Sequence, residues 1–73
     1  MDFEEIKERV KMGEEFQFYY KEESYWISHS KNKYHLTRVR DSYTQTFNTC
    51  IELFENVTID SKHLKDIWNE LEF

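Results

Sequence analysis

Between Phe16 and Val39, large apolar and polar residues take turns along the chain, and this alternation constrains the fold more than any other feature. Phe16, Phe18 and Tyr20 alternate with Gln17, Tyr19 and Lys21. Tyr25, Ile27 and His29 alternate with Ser24, Trp26 and Ser28, and a third run, Tyr34-His35-Leu36-Thr37-Arg38-Val39, follows. Successive side chains of a strand leave opposite faces, so a half-buried strand requires a period of two. The segment therefore predicts a small antiparallel sheet. A two-residue turn at Glu22-Glu23 would set Tyr20 opposite Tyr25, Phe18 opposite Ile27 and Phe16 opposite His29. A second at Lys31-Asn32 would set Ile27 opposite Leu36 and His29 opposite Tyr34. One face then reads Phe16, Phe18, Tyr20, Tyr25, Ile27, Tyr34 and Leu36, a plausible core. The other reads Gln17, Tyr19, Lys21, Ser24, Trp26, Ser28, His35 and Thr37. A slip of one residue would exchange the two faces.

The flanks carry helical signals. Asp2 lies three residues before Glu5, as in a capping box, and Phe3, Ile6 and Val10 follow at helical spacing. Gly13, the only glycine, stands just past the last apolar residue of that series, where a left-handed cap favours glycine. A helix is thus expected from about Phe3 to Met12. Ser42 to Phe47 alternates again and is rich in β-formers, which predicts a fourth strand or an extended connection. Thr49 and Glu52 form a second capping box ahead of Ile51, Leu53 and Phe54, with Asn56 placed to end that helix. Val57-Thr58-Ile59 reads as a short extended link. Asp60 or Ser61 would then cap a last helix, in which Leu64, Ile67, Trp68 and Leu71 make the strongest helical stripe in the chain. Helix one and the last helix are expected to cover the Phe18/Ile27/Leu36 face. The fold class is α+β, as one domain over residues 1–73: an N-terminal helix, a three- or four-stranded antiparallel meander, a short helix and a C-terminal helix packed on one sheet face.

A chain of 73 residues is near the lower limit for a single unstapled core. Six Phe, five Tyr and two Trp help, because each ring buries a large area. Cys50 is alone and cannot form an internal disulfide, which fits a reducing cytoplasmic setting. No apolar run approaches the ~20 residues that cross a bilayer, and the first residues are acidic where a signal peptide is basic. No membrane partner is expected. The net charge of −5 is uneven: residues 1–15 carry −3, residues 16–48 carry +2 and residues 49–73 carry −4. Acidic ends around a mildly basic sheet argue against general nucleic-acid binding, which needs a strongly basic face.

The C-terminal third, Phe47-Asn48-Thr49-Cys50-Ile51-Glu52-Leu53-Phe54 through Ile59-Asp60-Ser61-Lys62 to Leu64-Lys65-Asp66-Ile67-Trp68, resembles a pattern in small hypothetical proteins of Gram-positive bacteria, their phages and mobile elements. In these a Phe and a capped Glu-Leu helix precede an Ile-Asp-Gly-Lys turn and a final Leu-x-x-Ile-Trp helix. The N-terminal helix and the Phe-x-Tyr … Tyr-x-Ile hairpin are similar too. The resemblance implies no activity and carries over no functional residue. Ser61 stands where glycine is usual, which argues against a positive-φ turn there.

No constellation points to catalysis. His29, His35, His63 and Cys50 are scattered, and His29 and His35 fall on opposite sheet faces, so no metal site is expected. Cys50 near a helix start could have an acidified thiol, but a small buried cysteine is the commoner case. The Glu4-Glu5, Glu14-Glu15 and Glu22-Glu23 pairs lie in solvated segments with nothing to tune their pKa values. One glycine cannot build a phosphate loop. Neither a cofactor nor a small-molecule substrate is indicated, and the chain is expected not to be an enzyme.

The polar sheet face is the best candidate site. Tyr19 opposite Trp26, rimmed by Lys21, Gln17, His35 and Thr37, would form an aromatic patch with a basic border, and Trp and Tyr are favoured anchors at protein interfaces. The expected function is a non-enzymatic protein-binding module, a small modulator of a host protein carried by a phage or mobile element, with an unknown host protein or self-association as partner. An acidic decoy of nucleic acid is a weaker variant, because Lys7, Arg9, Lys11, Lys62 and Lys65 interrupt the acidic surface. The alternative is a weak single-stranded nucleic-acid binder using Tyr19, Trp26, Lys31, Lys33, Arg38 and Arg40.

Overall fold

The structure, a computed structural model, describes residues 2–73. Helix α1 spans Phe3–Lys11, and the Asp2 carboxylate accepts from the Glu5 backbone N–H at 2.7 Å, satisfying one orphan donor of the first turn. Ile6 and Val10 form its buried stripe. The helix stops at Gly13 with φ 104°, where Gly13 N–H donates to Val10 C=O and Glu14 N–H to Arg9 C=O, the paired bonds of a Schellman cap.

Strands β1 (Phe16–Tyr20), β2 (Glu23–Ser30), β3 (Lys33–Arg38) and β4 (Tyr43–Phe47) follow as an antiparallel meander in the order β1-β2-β3-β4. The β2–β3 register is the expected one, with Ile27 opposite Leu36 and His29 opposite Tyr34. The β1–β2 register is not. Its turn is Lys21-Glu22, so Tyr20 faces Glu23, Phe18 faces Tyr25 and Phe16 faces Ile27. Moving a two-residue turn by one position shifts the pairing by two, which preserves both faces, so the alternation cannot distinguish the two arrangements. Both turns have positive φ at both central residues (48° and 68° at Lys21-Glu22, 49° and 64° at Lys31-Asn32), the geometry that matches strand twist in two-residue hairpins.

Helix α2 (Cys50–Asn56) begins where Thr49 Oγ1 accepts from Glu52 N–H at 3.1 Å. Beyond Val57, β5 (Thr58–Ile59) and β6 (Lys62–His63) form a small hairpin around Asp60-Ser61, with φ 53° and 64°. These two residues are turn positions and not a helix cap, and Ser61 adopts the positive φ that its side chain disfavours. The final helix is also shorter than its apolar stripe suggests. Helix α3 covers only Leu64–Ile67, a 3-10 turn covers Trp68–Glu70, and Leu71 is extended. The chain then pairs with the outer edge of β1: Tyr19 N–H donates to Glu72 C=O and Glu72 N–H to Tyr19 C=O, at 2.8 and 2.9 Å. An open strand edge offers this backbone partners that a continued helix would forgo.

All three helices lie on one side of the sheet. Phe18, Tyr20, Tyr25, Ile27 and Leu36 meet Ile6, Val10, Leu53, Phe54, Val57, Ile59, Leu64 and Ile67 in a single core. Helix α2, rather than α1 and α3, is central to this layer: it touches α1, α3, β3, β4 and β6. Trp68 is half-buried at the margin, edge-on to Phe3 and tilted against Phe73.

Candidate interaction surface

With the helical layer on one face, the strands present their alternate residues on the other. The register aligns Gln17, Trp26, Thr37 and Thr44 in one row across all four strands. Ser28, His35 and Thr46 form the next row, and Tyr19 lies opposite Ser24. Trp26 and Tyr19 are 45% and 48% exposed, whereas their chain neighbours Tyr25, Ile27, Phe18 and Tyr20 are buried. The hydrogen-bonded sheet thus holds two large rings in the open.

The polar groups beside these rings are largely occupied with each other. Gln17 Nε2 donates to Ser24 Oγ at 2.8 Å, and the Thr37 and Thr44 hydroxyls are 3.0 Å apart. The His35 ring bridges two strands, with Nε2 2.9 Å from Ser30 Oγ and Nδ1 2.9 Å from Thr46 Oγ1. These bonds occupy the short polar side chains around Trp26 and leave the Trp26 and Tyr19 rings as the large exposed groups of this face. Lys33, at the end of β3, is the only lysine or arginine on the strand positions of this face, and its ammonium donates to Asn48 Oδ1.

Of the residues expected here, Tyr19, Trp26, His35 and Thr37 share the face, but their arrangement differs. Gln17, not Tyr19, stands opposite Trp26, and Tyr19 is its diagonal neighbour. Lys21 is a turn residue whose ammonium lies 5.3 Å from the centre of the Tyr20 ring, and Tyr20 belongs to the core face. It does not border the patch. Arg38 takes the core-side register and binds Asp41 through two bonds of 2.9 and 2.8 Å, while Arg40 pairs with Glu23 at 3.3 Å. The basic border is therefore dispersed and locally neutralised. The Arg38 guanidinium hydrogen bonds hold the Asp41 carboxyl at about 2, below its ordinary 3.8. Ser30, Thr44 and Thr46 belong to the face but were not among the expected residues. The alternation of Ser42 to Phe47 marks Thr44 and Thr46 as one side of a strand, but only the β3–β4 register says which side.

Elsewhere, reactive side chains have structural partners. His29 Nε2 donates to the Gly13 carbonyl at 2.9 Å. Cys50 is buried with Sγ 3.5 Å from the Lys7 carbonyl, and burial pushes its thiol pKa up, away from nucleophilic character. Among the described residues no three His, Cys, Asp or Glu side chains converge as a metal site, and no helix is long and apolar enough to cross a membrane. Comparisons with protein-family models, curated proteins and solved structures found no match to this chain.

Proposed function

We propose that the chain is a non-enzymatic, cytoplasmic protein-binding module that engages its partner through the outer sheet face, with Trp26 as anchor and Tyr19, Gln17, Thr37 and His35 around it. The observation that supports this reading is the exposure of Trp26 and, diagonal to it, Tyr19 on the sheet face opposite the helices. A tryptophan on a flat, nearly uncharged surface gains most from a partner that removes it from water, and such residues dominate binding energy at protein interfaces. On this reading the chain is a small modulator of a host protein, of the kind that phages and mobile elements carry. Single-stranded nucleic acid is the weaker reading, because Arg38 and Arg40 are paired with acids, Lys31 lies in a turn and Lys33 is bonded to Asn48.

The test is capture of partners from a lysate of the source cells on immobilised wild-type protein and on Trp26→Ala, each across a salt series. The reading expects a discrete protein that Trp26→Ala fails to retain and that persists at moderate salt. Retention of nucleic acid that falls steeply with salt would favour the alternative.

A further inference from the structure

The two edges of the main sheet are treated differently. The β1 edge is covered: both outward groups of Tyr19 bond Glu72, and Phe73 packs on Phe16 and Phe18. Among the described residues no strand pairs with the β4 edge, and the contact there is made on the core side by the Gln45 side chain, which holds the Thr58 backbone N–H and C=O at 3.2 and 2.8 Å. The hydrogen-bond direction of this edge follows from the ladder. Val39 N–H donates to Ser24 C=O, so the odd residues of β3 bond toward β2 and the even ones, Tyr34, Leu36 and Arg38, bond toward β4. Their partners are Phe47, Gln45 and Tyr43, which leaves the N–H and C=O of Thr44 and Thr46 pointing away from the sheet. Both residues are exposed, and among the described residues neither has a backbone partner on the outer side.

Natural proteins blunt such an edge with lysine, proline, a bulge or a covering segment. Here no charged residue and no proline occurs from Ser42 to Ile51. Tyr43, 57% exposed, and half-buried Phe47 flank the edge on the core side.

We infer that the β4 edge is a self-association site, at which a second copy of this chain pairs antiparallel about a two-fold axis at Gln45. That occupant fits for three reasons. The edge is self-complementary: with Gln45 facing its symmetry mate, Thr44 of each copy meets Thr46 of the other, and the four outward backbone groups on each side find partners. The same register sets Tyr43 beside the partner's Phe47 at closely spaced, non-hydrogen-bonded positions, covering both rings. The uncharged stretch lets two chains of net charge −5 approach without placing like charges at the contact. The product is a continuous eight-stranded sheet that displays two Trp26 patches on one face. The contact is small, so the dimer belongs to the weak, concentration-dependent class. This inference does not rest on the proposed function, since Trp26 lies two strands from the edge.

Sedimentation velocity over a concentration series reaching the millimolar range tests it, with variants carrying Thr44→Lys and Thr46→Lys or Thr44→Glu and Thr46→Glu. Wild type should move from monomer toward dimer as concentration rises, and Trp26→Ala should follow the same curve. Each doubly charged variant should stay monomeric with an unchanged circular dichroism spectrum, because like charges would meet across the axis. Mixing the lysine and glutamate variants should restore a heterodimer, since each Lys then faces a Glu. A wild type that remains monomeric throughout, a lysine variant that dimerises like wild type, or a mixture that stays monomeric would each overturn the inference.

Discussion

Glu22→Gly should make this protein more stable, although it removes an exposed residue with no packing role. Glu22 holds φ at 68° as the second turn residue between β1 and β2. For an L-residue the left-handed region costs roughly 1–2 kcal/mol, because Cβ crowds the neighbouring carbonyl. Glycine avoids that cost but gives the unfolded chain extra freedom worth about 0.5–1 kcal/mol. The difference leaves a gain of ~0.5–1 kcal/mol. With a urea m-value near ~1 kcal/mol/M, at the low end for small domains, the unfolding midpoint should rise by about 0.5–1 M. Two controls isolate the cause. Glu22→Ala removes the same charge while keeping Cβ, and should gain nothing. Asn32→Gly should gain less than Glu22→Gly, because asparagine already tolerates positive φ. A Glu22→Gly midpoint no higher than that of Glu22→Ala would refute the turn assignment and with it the β1–β2 register.

Gly13→Val should destabilise by about 1–3 kcal/mol in the same assay; a Cβ there would meet only His29 Nε2 at 4.0 Å, so the effect would report backbone strain at φ 104° and not a clash. Trp68→Ala should cost about 3 kcal/mol through lost contact with Phe3 and Phe73, a large share of the stability of so small a domain. The Tyr20 hydroxyl is buried without a hydrogen-bond partner among the described residues, so Tyr20→Phe should leave stability unchanged or raise it by up to about 1 kcal/mol, read from the thermal midpoint. The folded pKa of Asp41 lies below its ordinary value, so its pairing with Arg38 stabilises the β3–β4 loop above pH ~4 and is lost as pH falls toward 2. Carboxyl NMR titration should place Asp41 at about 2 and follow the loop loosening over that window, and Asp41→Asn should abolish the pH dependence of the loop.

Much of the fold is legible in the sequence because several signals agree. The alternation from Phe16 to Val39 sorts the sheet faces, and the Asp2 and Thr49 caps place two helix starts. What the sequence hides has physical causes. The Lys21-Glu22 turn carries neither glycine nor asparagine, and the competing register keeps every side chain on its face. Ser61 sits at φ 64° because the β5–β6 hairpin closes around it, although the residue itself speaks against that conformation. The stripe through Leu64, Ile67, Trp68 and Leu71 satisfies helical spacing, yet the long-range bonds between Glu72 and Tyr19 draw the chain off the helix. The candidate patch is legible for the same reason as the sheet, since Trp26 lies between two core residues and must face outward. Its basic border is not, because the pairing of Arg38 with Asp41 and the turn of Lys21 under Tyr20 depend on loop geometry.

Whether the outer sheet face meets a protein partner is read out by site-specific photo-crosslinking in the source cells. A photoreactive side chain at Thr37, opposite Trp26 in the same row, is compared with one at Glu55, exposed on helix α2 in the opposite layer. A discrete adduct with another protein is expected from position 37, lost when Trp26→Ala is added, and none from position 55. Equal adducts from both positions, or an adduct at 37 that is indifferent to Trp26→Ala, would contradict a partner contact at this face.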